Sequence, residues 1–166
     1  MNPLFKAVDS VIAWWCHAVL YVTLSVVFVI LSVNVVLRYA AGSSLAWASE
    51  LPELMFPWMI MSGVVIAAQH GSHIAVVILT QKLGAARRWV LTAGSLVVAG
   101  LYLGLAFAAW PVFELAVDER SPIMQVPGSV SVGSLLLGFV MLAIVTLLRL
   151  PQVWSGEDHN EIGADA

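Results

Sequence analysis

Four runs of the chain contain no lysine, arginine, aspartate or glutamate: 10–37, 54–81, 89–113 and 121–148. Each exceeds the roughly 20 apolar residues that cross about 30 Å of hydrocarbon. A backbone in lipid must satisfy its own N–H and C=O groups, so only helices and closed β-barrels can span. A barrel needs segments of about 10 residues that alternate apolar and polar. The stretch "LYVTLSVVFVILSVNVVL" does not alternate. The fold class expected is therefore an all-α membrane protein with four transmembrane helices. The second run turns polar at His70 and His73, which places its spanning part at 50–69. Only 10% of the 166 residues are charged, against about 25% in soluble domains. The spans use most of the chain, giving one transmembrane domain at 1–150 and a polar acidic tail at 151–166. The first run is too long for the apolar core of a cleaved signal, about 7–15 residues, and is read as retained.

Lysine and arginine set the topology. Lys6, Lys82, Arg87, Arg88 and Arg149 fall on the side shared by both termini, and Arg38 and Arg120 on the other. This bias puts both termini in the cytoplasm and turns 38–50 and 114–127 outward. Trp89 and Trp110 stand 21 positions apart, about 31 Å along a helix, matching an aromatic belt on each side of the bilayer. Trp14, Trp15 and Trp154 fit the inner interface and Trp47 the outer one. Trp58 falls deep in the second span, where packing against a helix or a partner would explain it. In the middle loop, Ile74, Val77, Ile78 and Leu83 suit the apolar side of a short surface helix, with Lys82, Arg87 and Arg88 toward the headgroups.

Reactive groups do not gather at one site. No span has a carboxylate, lysine or arginine near its middle, where ion pathways and proton relays usually place them. The chain is not expected to be an enzyme, nor a transporter by itself, and no cofactor, metal or nucleic-acid partner is expected. Cys16 is the only cysteine, which excludes an internal disulfide, and a packed thiol is expected. His17 and His70 or His73, on different helices near the inner side, allow one alternative of another class. That alternative is a haem-binding membrane anchor subunit of a redox enzyme.

The segment "LAWASELPELMFPW", residues 45–58, shows how the second span begins. Ser49 suits an N-cap, and Glu50 sits in a first turn that favours negative charge. Pro52 falls where its missing N–H breaks no helical bond, whereas Pro57 removes the bond to the Glu53 carbonyl and should kink the helix. Glu50 and Glu53 share a helix face. Arg38 and Glu50 are candidates for an ion pair across the hairpin.

The motifs "NVVLRY", "SLAW", "SELPELMFPW", "SGVVIAAQHGSHI" and "RSPIMQVP" resemble the small membrane subunit of tripartite ATP-independent periplasmic (TRAP) transporters. The resemblance covers about 10–150. Arg38, Tyr39, Trp47, Glu50, Phe56, Trp58, Gly63, His73 and Ile74 take the family's motif positions, and Ser121, Pro122 and Pro127 its lead into the fourth span. The sequence departs from the pattern at Ser49 (usually acidic), Glu53 (often basic), Gln69 (often arginine) and Val77 (often aspartate).

The resemblance implies a multi-pass subunit of a bacterial or archaeal inner membrane. Its partners would be a large subunit that carries the substrate and sodium sites, a periplasmic substrate-binding protein, and membrane lipid. Transport would be sodium-coupled symport of an organic acid by an elevator mechanism, with this chain widening the fixed scaffold. Arg38, Tyr39, Trp47, Glu50, Trp58, Gly63 and His73 are then candidates for the partner interface or its structural motif. Glu53, Glu114, Asp118 and Glu119 are candidates for docking the binding protein, and Gly94, Ser95, Gly100 and Gly104 for close helix contacts.

Overall fold

The computed structural model describes residues 3–71, 87–148 and 150. Helix α1 spans Pro3–Ala40, a 3-10 turn spans Ala46–Ser49, and α2 spans Glu50–Gly71. Helix α3 follows at Arg87–Asp118 and α4 at Ser129–Leu148. All four are long and apolar enough to cross a membrane. His73, the expected surface helix of the middle loop and the tail 151–166 lie outside the described residues.

Local chemistry accounts for the boundaries. Residues 4–41 contain neither proline nor glycine, so nothing interrupts the 38-residue α1. It stops where Ala41 N–H donates to the Leu37 carbonyl at 2.9 Å and Gly42 takes a left-handed φ of 63°. That is the ordinary glycine stop, because glycine has no Cβ to clash there. One expectation needs correction. Ser49 does not act as a free N-cap: its hydroxyl donates to the Ala46 carbonyl at 2.7 Å, inside a 3-10 turn that runs directly into α2. Pro122, Pro127 and Gly128 favour a turn, and as expected this segment leads into the fourth helix rather than belonging to it. Residues 119–128 form a loop closed by an isolated Arg120–Pro127 bridge, and α4 starts at Ser129.

The helices stand in a row rather than a closed bundle. Helix α1 packs on α2, α2 on α4, and α4 on α3, while α1 touches α4 only lightly. Burial follows that order: 28% of the most apolar stretch of α4 is buried, against 6% for α3. Ile12 and Cys16 of α1, Met61 and Val65 of α2, and Leu142 and Val145 of α4 form the core. The thiol is thus packed as expected. Both described connections, 41–49 and 119–128, lie at one end, called the Glu50 end; Asp9 and Gln69 mark the other.

Two glycines set how closely the helices approach. A Cβ on Gly138 of α4 would run into the Met61 side chain of α2, and one on Gly63 would sit 3.6 Å from Leu20 Cδ1 of α1. A Cβ on Gly94, Gly100 or Gly104 of α3 would meet nothing within 4 Å outside its own helix, so among the described residues these three serve no close helix contact. Gly138→Ala should lower the unfolding free energy of the purified chain in detergent by about 1–3 kcal/mol, whereas Gly100→Ala should shift it by less than about 0.5 kcal/mol. Equal shifts in thermal unfolding would contradict the close α2–α4 approach.

Candidate functional site

The Glu50 end is built around one carboxylate. Glu50 opens α2 and is 8% exposed, the only charged side chain buried among the described residues. Its Oε1 accepts the Ile123 N–H at 2.9 Å and its Oε2 accepts the Met124 N–H at 2.9 Å. The motif "RSPIMQVP" explains why those amides are available. Pro122 has no N–H of its own, and the loop turns back so that Ser121 N–H reaches the Val126 carbonyl at 3.0 Å. Gln125 N–H returns to the Ser121 carbonyl at 3.2 Å, with Gln125 at a φ of 56°. The two intervening amides then face the same way and cradle an anion. Hydrogen bonds to an ionised acceptor are the stronger kind, so Glu50 clasps the α3–α4 loop to the start of α2.

Further bonds continue the seam. The Trp58 indole N–H donates to the Val130 carbonyl at 3.0 Å, so the tryptophan deep in the second span is held by α4 of its own chain. Pro57 leaves the Glu53 carbonyl without its helical donor, and the Ser131 hydroxyl approaches that oxygen at 3.5 Å. Asn34 Oδ1 accepts the Leu45 N–H at 2.8 Å and ties the first connection to α1. Arg38 and Tyr39 are exposed at the end of α1, and Arg38 has no ion pair or hydrogen bond among the described residues. The Glu50 carboxylate is thus committed to the loop, not to Arg38. Trp47 lies partly exposed in the 3-10 turn, over the fully buried Ala48.

The acidic candidates separate. Glu53 and Glu119 line one open hollow of about 440 Å3 together with Arg120, Pro57 and Ser131. Glu114 is held by the Trp110 indole N–H at 2.8 Å, and Asp118 is exposed at the end of α3; neither lines the hollow.

At the opposite end, Gln69 Nε2 donates to both the Asp9 carbonyl oxygen at 3.0 Å and Asp9 Oδ1 at 2.9 Å. Sequence reasoning missed this link, although a lone acid opening one span and a glutamine closing the next were its signal. It also fixes the register of α1 on α2. With Asp9 beside Gln69 and Leu20 beside Gly63, His17 lies roughly 6 to 14 Å along the helix axis from His70, at 1.5 Å per residue. Each Nδ1 bonds its own helix, His17 at 2.7 Å from the Ala13 carbonyl oxygen and His70 at 2.9 Å from that of Ile66. This pair does not share a level that could ligate a haem from two sides, so the haem reading gains no support from it. No group of three histidine, cysteine or acidic residues that could hold a metal occurs among the described residues.

The family described as tripartite ATP-independent periplasmic transporters, DctQ component, matches residues 27–156. The chain belongs to this family. Three relatives accompany the match. The uncharacterized protein y4mM of Sinorhizobium fredii is 38% identical over 163 residues, 96% of this chain but only 30% of its own length. Two putative TRAP transporter small permease proteins of Haemophilus influenzae are 23% identical over 152 residues and 26% identical over 125 residues. They align with 90% and 75% of this chain, and with 91% and 73% of their own lengths. The DctQ-family chain thus spans less than a third of the length of the first of these relatives.

Removing the clasp should show in the loop. Glu50→Ala should speed amide exchange at Ile123 and Met124 about tenfold or more, as expected when two charge-assisted bonds are lost, while Arg38→Ala should leave both unchanged. Hydrogen-exchange mass spectrometry of peptides covering 119–128 measures this, and protection that survives Glu50→Ala would refute the clasp.

Proposed function

We propose that this chain is the non-catalytic small subunit of a sodium-coupled TRAP-type transporter that takes up an organic acid. It flanks a large membrane subunit, widens that subunit's stationary scaffold for an elevator-like movement, and helps to dock a periplasmic binding protein. Both termini face the cytoplasm of a bacterial or archaeal cell, and the Glu50 end faces the periplasm. The observation that carries this reading is the family match over 27–156, joined to the structural use of the one buried charge. A carboxylate whose two oxygens are both spent on backbone amides serves architecture rather than ion passage. Substrate and sodium sites then belong to the partner.

The hollow between Glu53 and Glu119 offers the binding protein an acidic rim, and charged rims act chiefly on association rate and salt dependence. In proteoliposomes, uptake of a radiolabelled organic acid under a sodium gradient should require the large subunit, the binding protein and this chain together. Omitting this chain should reduce uptake to background, and this chain alone should transport nothing. Full uptake without it would overturn the reading. Neutralising Glu53, Glu114, Asp118 and Glu119 together should flatten the salt dependence of uptake; an unchanged dependence would place docking elsewhere.

A further inference from the structure

The exposed surface of α1 carries two stripes, one apolar throughout and one that mixes polar side chains with the apolar Trp14, Phe28 and Val35. One carries Val11, Ala18, Val22, Val29, Val33 and Val36, with the valines all well exposed. The other carries His17, Tyr21, Ser25, Phe28 and Ser32 at steps of three or four residues, the spacing of one helix face. Tyr21 is 61% and Phe28 70% exposed, on the side away from the buried Ile12, Cys16, Thr23 and Val27.

Depth makes the second stripe unusual. The Asp9–Gln69 and Asn34–Leu45 contacts mark the ends of the stretch of α1 that runs beside α2, about 37 Å at 1.5 Å per residue. His17, Tyr21 and Ser25 lie about 12 to 24 Å along it, in its middle third. His17 Nδ1 is spent on the Ala13 carbonyl and its ring lies 6.0 Å from that of Tyr21. The ring's Nε2, the Tyr21 phenol and the Ser25 and Ser32 hydroxyls have no hydrogen bond among the described residues. The chain satisfies a comparable group elsewhere: the buried Thr23 hydroxyl returns to the Val19 carbonyl at 2.7 Å. Polar side chains left unpaired in hydrocarbon are costly and normally face protein. The exposed face of α3, by contrast, is apolar along Leu96, Val97, Leu101, Leu105 and Phe107, and lipid covers such a face without cost.

We infer that the His17–Tyr21–Ser25–Ser32 stripe of α1 seats a transmembrane helix of the large membrane subunit, bonded across the interface by that helix's hydroxyl or amide side chains. The valine stripe beside it faces lipid. Serines suit such a contact, since they allow close backbone approach and supply interhelical hydrogen bonds. A different polypeptide fits better than a second copy. In y4mM the matching region is 30% of a longer chain, which holds the remaining, larger polypeptide at one copy per copy of this domain. This inference rests on the transporter-subunit reading above.

The test uses the whole complex in its native membrane. A photo-crosslinking amino acid replaces Tyr21 or Phe28 on one stripe and Val22 or Val29 on the other. Adducts with a large membrane protein are expected from 21 and 28 and not from 22 and 29. Independently, Ser25→Leu combined with Ser32→Leu should cut the large subunit retained on purification about tenfold, at about threefold per lost interhelical bond. Val22→Leu with Val29→Leu should retain it, and circular dichroism should show both variants equally helical. Adducts from 22 and 29 instead, adducts of twice this chain's mass, or full retention by the serine variant would each overturn the inference while leaving the subunit reading intact. A wild-type chain that retains no large membrane partner would overturn the subunit reading and this inference with it.

Discussion

One carboxylate holds the two halves of this chain in register. The α1–α2 hairpin and the α3–α4 hairpin meet chiefly along α2 and α4, and at one end of that seam Glu50 receives two backbone amides from the opposite hairpin. Away from bulk water such bonds are strengthened, and an amide left without an acceptor becomes correspondingly costly. The rest of the seam follows from this anchor. Trp58 finds the Val130 carbonyl, Ser131 approaches the carbonyl that Pro57 frees, and further along Gly138 admits Met61. Each contact needs α4 to lie at one height against α2, and the Glu50 clasp sets that height.

Much of this was legible in the residues. Charge-free runs gave the four helices, and the polar turn at His70 placed the end of α2 within two residues of Gly71. Pro57 marked through local sterics alone the carbonyl that loses its helical donor. The errors lay where a side chain chooses between local and distant partners. Ser49 looked like a cap from its neighbours, yet the turn Ala46–Ser49 offered its hydroxyl a nearer carbonyl. Glu50 looked available to Arg38 because charge attracts charge at any sequence distance. Its real partners are two neutral amides more than 70 positions away, and no rule of spacing reports which amides a folded loop leaves free. The Asp9–Gln69 link has the same character: Gln69 stands out as a departure from the family pattern, but its adjacency to Asp9 depends on helix register.

The candidate site was less legible than the fold for a physical reason. On the proposed reading the chain supports a neighbour and needs no converging reactive groups, so its functional residues would resemble ordinary surface. Glu53, which departs from the family's usual basic residue, shares a hollow with Glu119 and Arg120 rather than facing open lipid. Its backbone carbonyl and its carboxylate serve different ends, one the seam and the other the rim. Only the three-dimensional arrangement separates those roles.

The order α1–α2–α4–α3 across the row also has a consequence for synthesis. Helices α1 and α2 can pair as soon as both have left the ribosome, because their contacts are already made. Helix α3 is different: its only extensive partner inside the chain is α4, which is synthesised after it. During that interval its thirty apolar residues, Trp89–Asp118, rest against lipid or against another nascent helix. Insertion of this protein thus contains one waiting step, and it ends when α4 takes its place between α2 and α3.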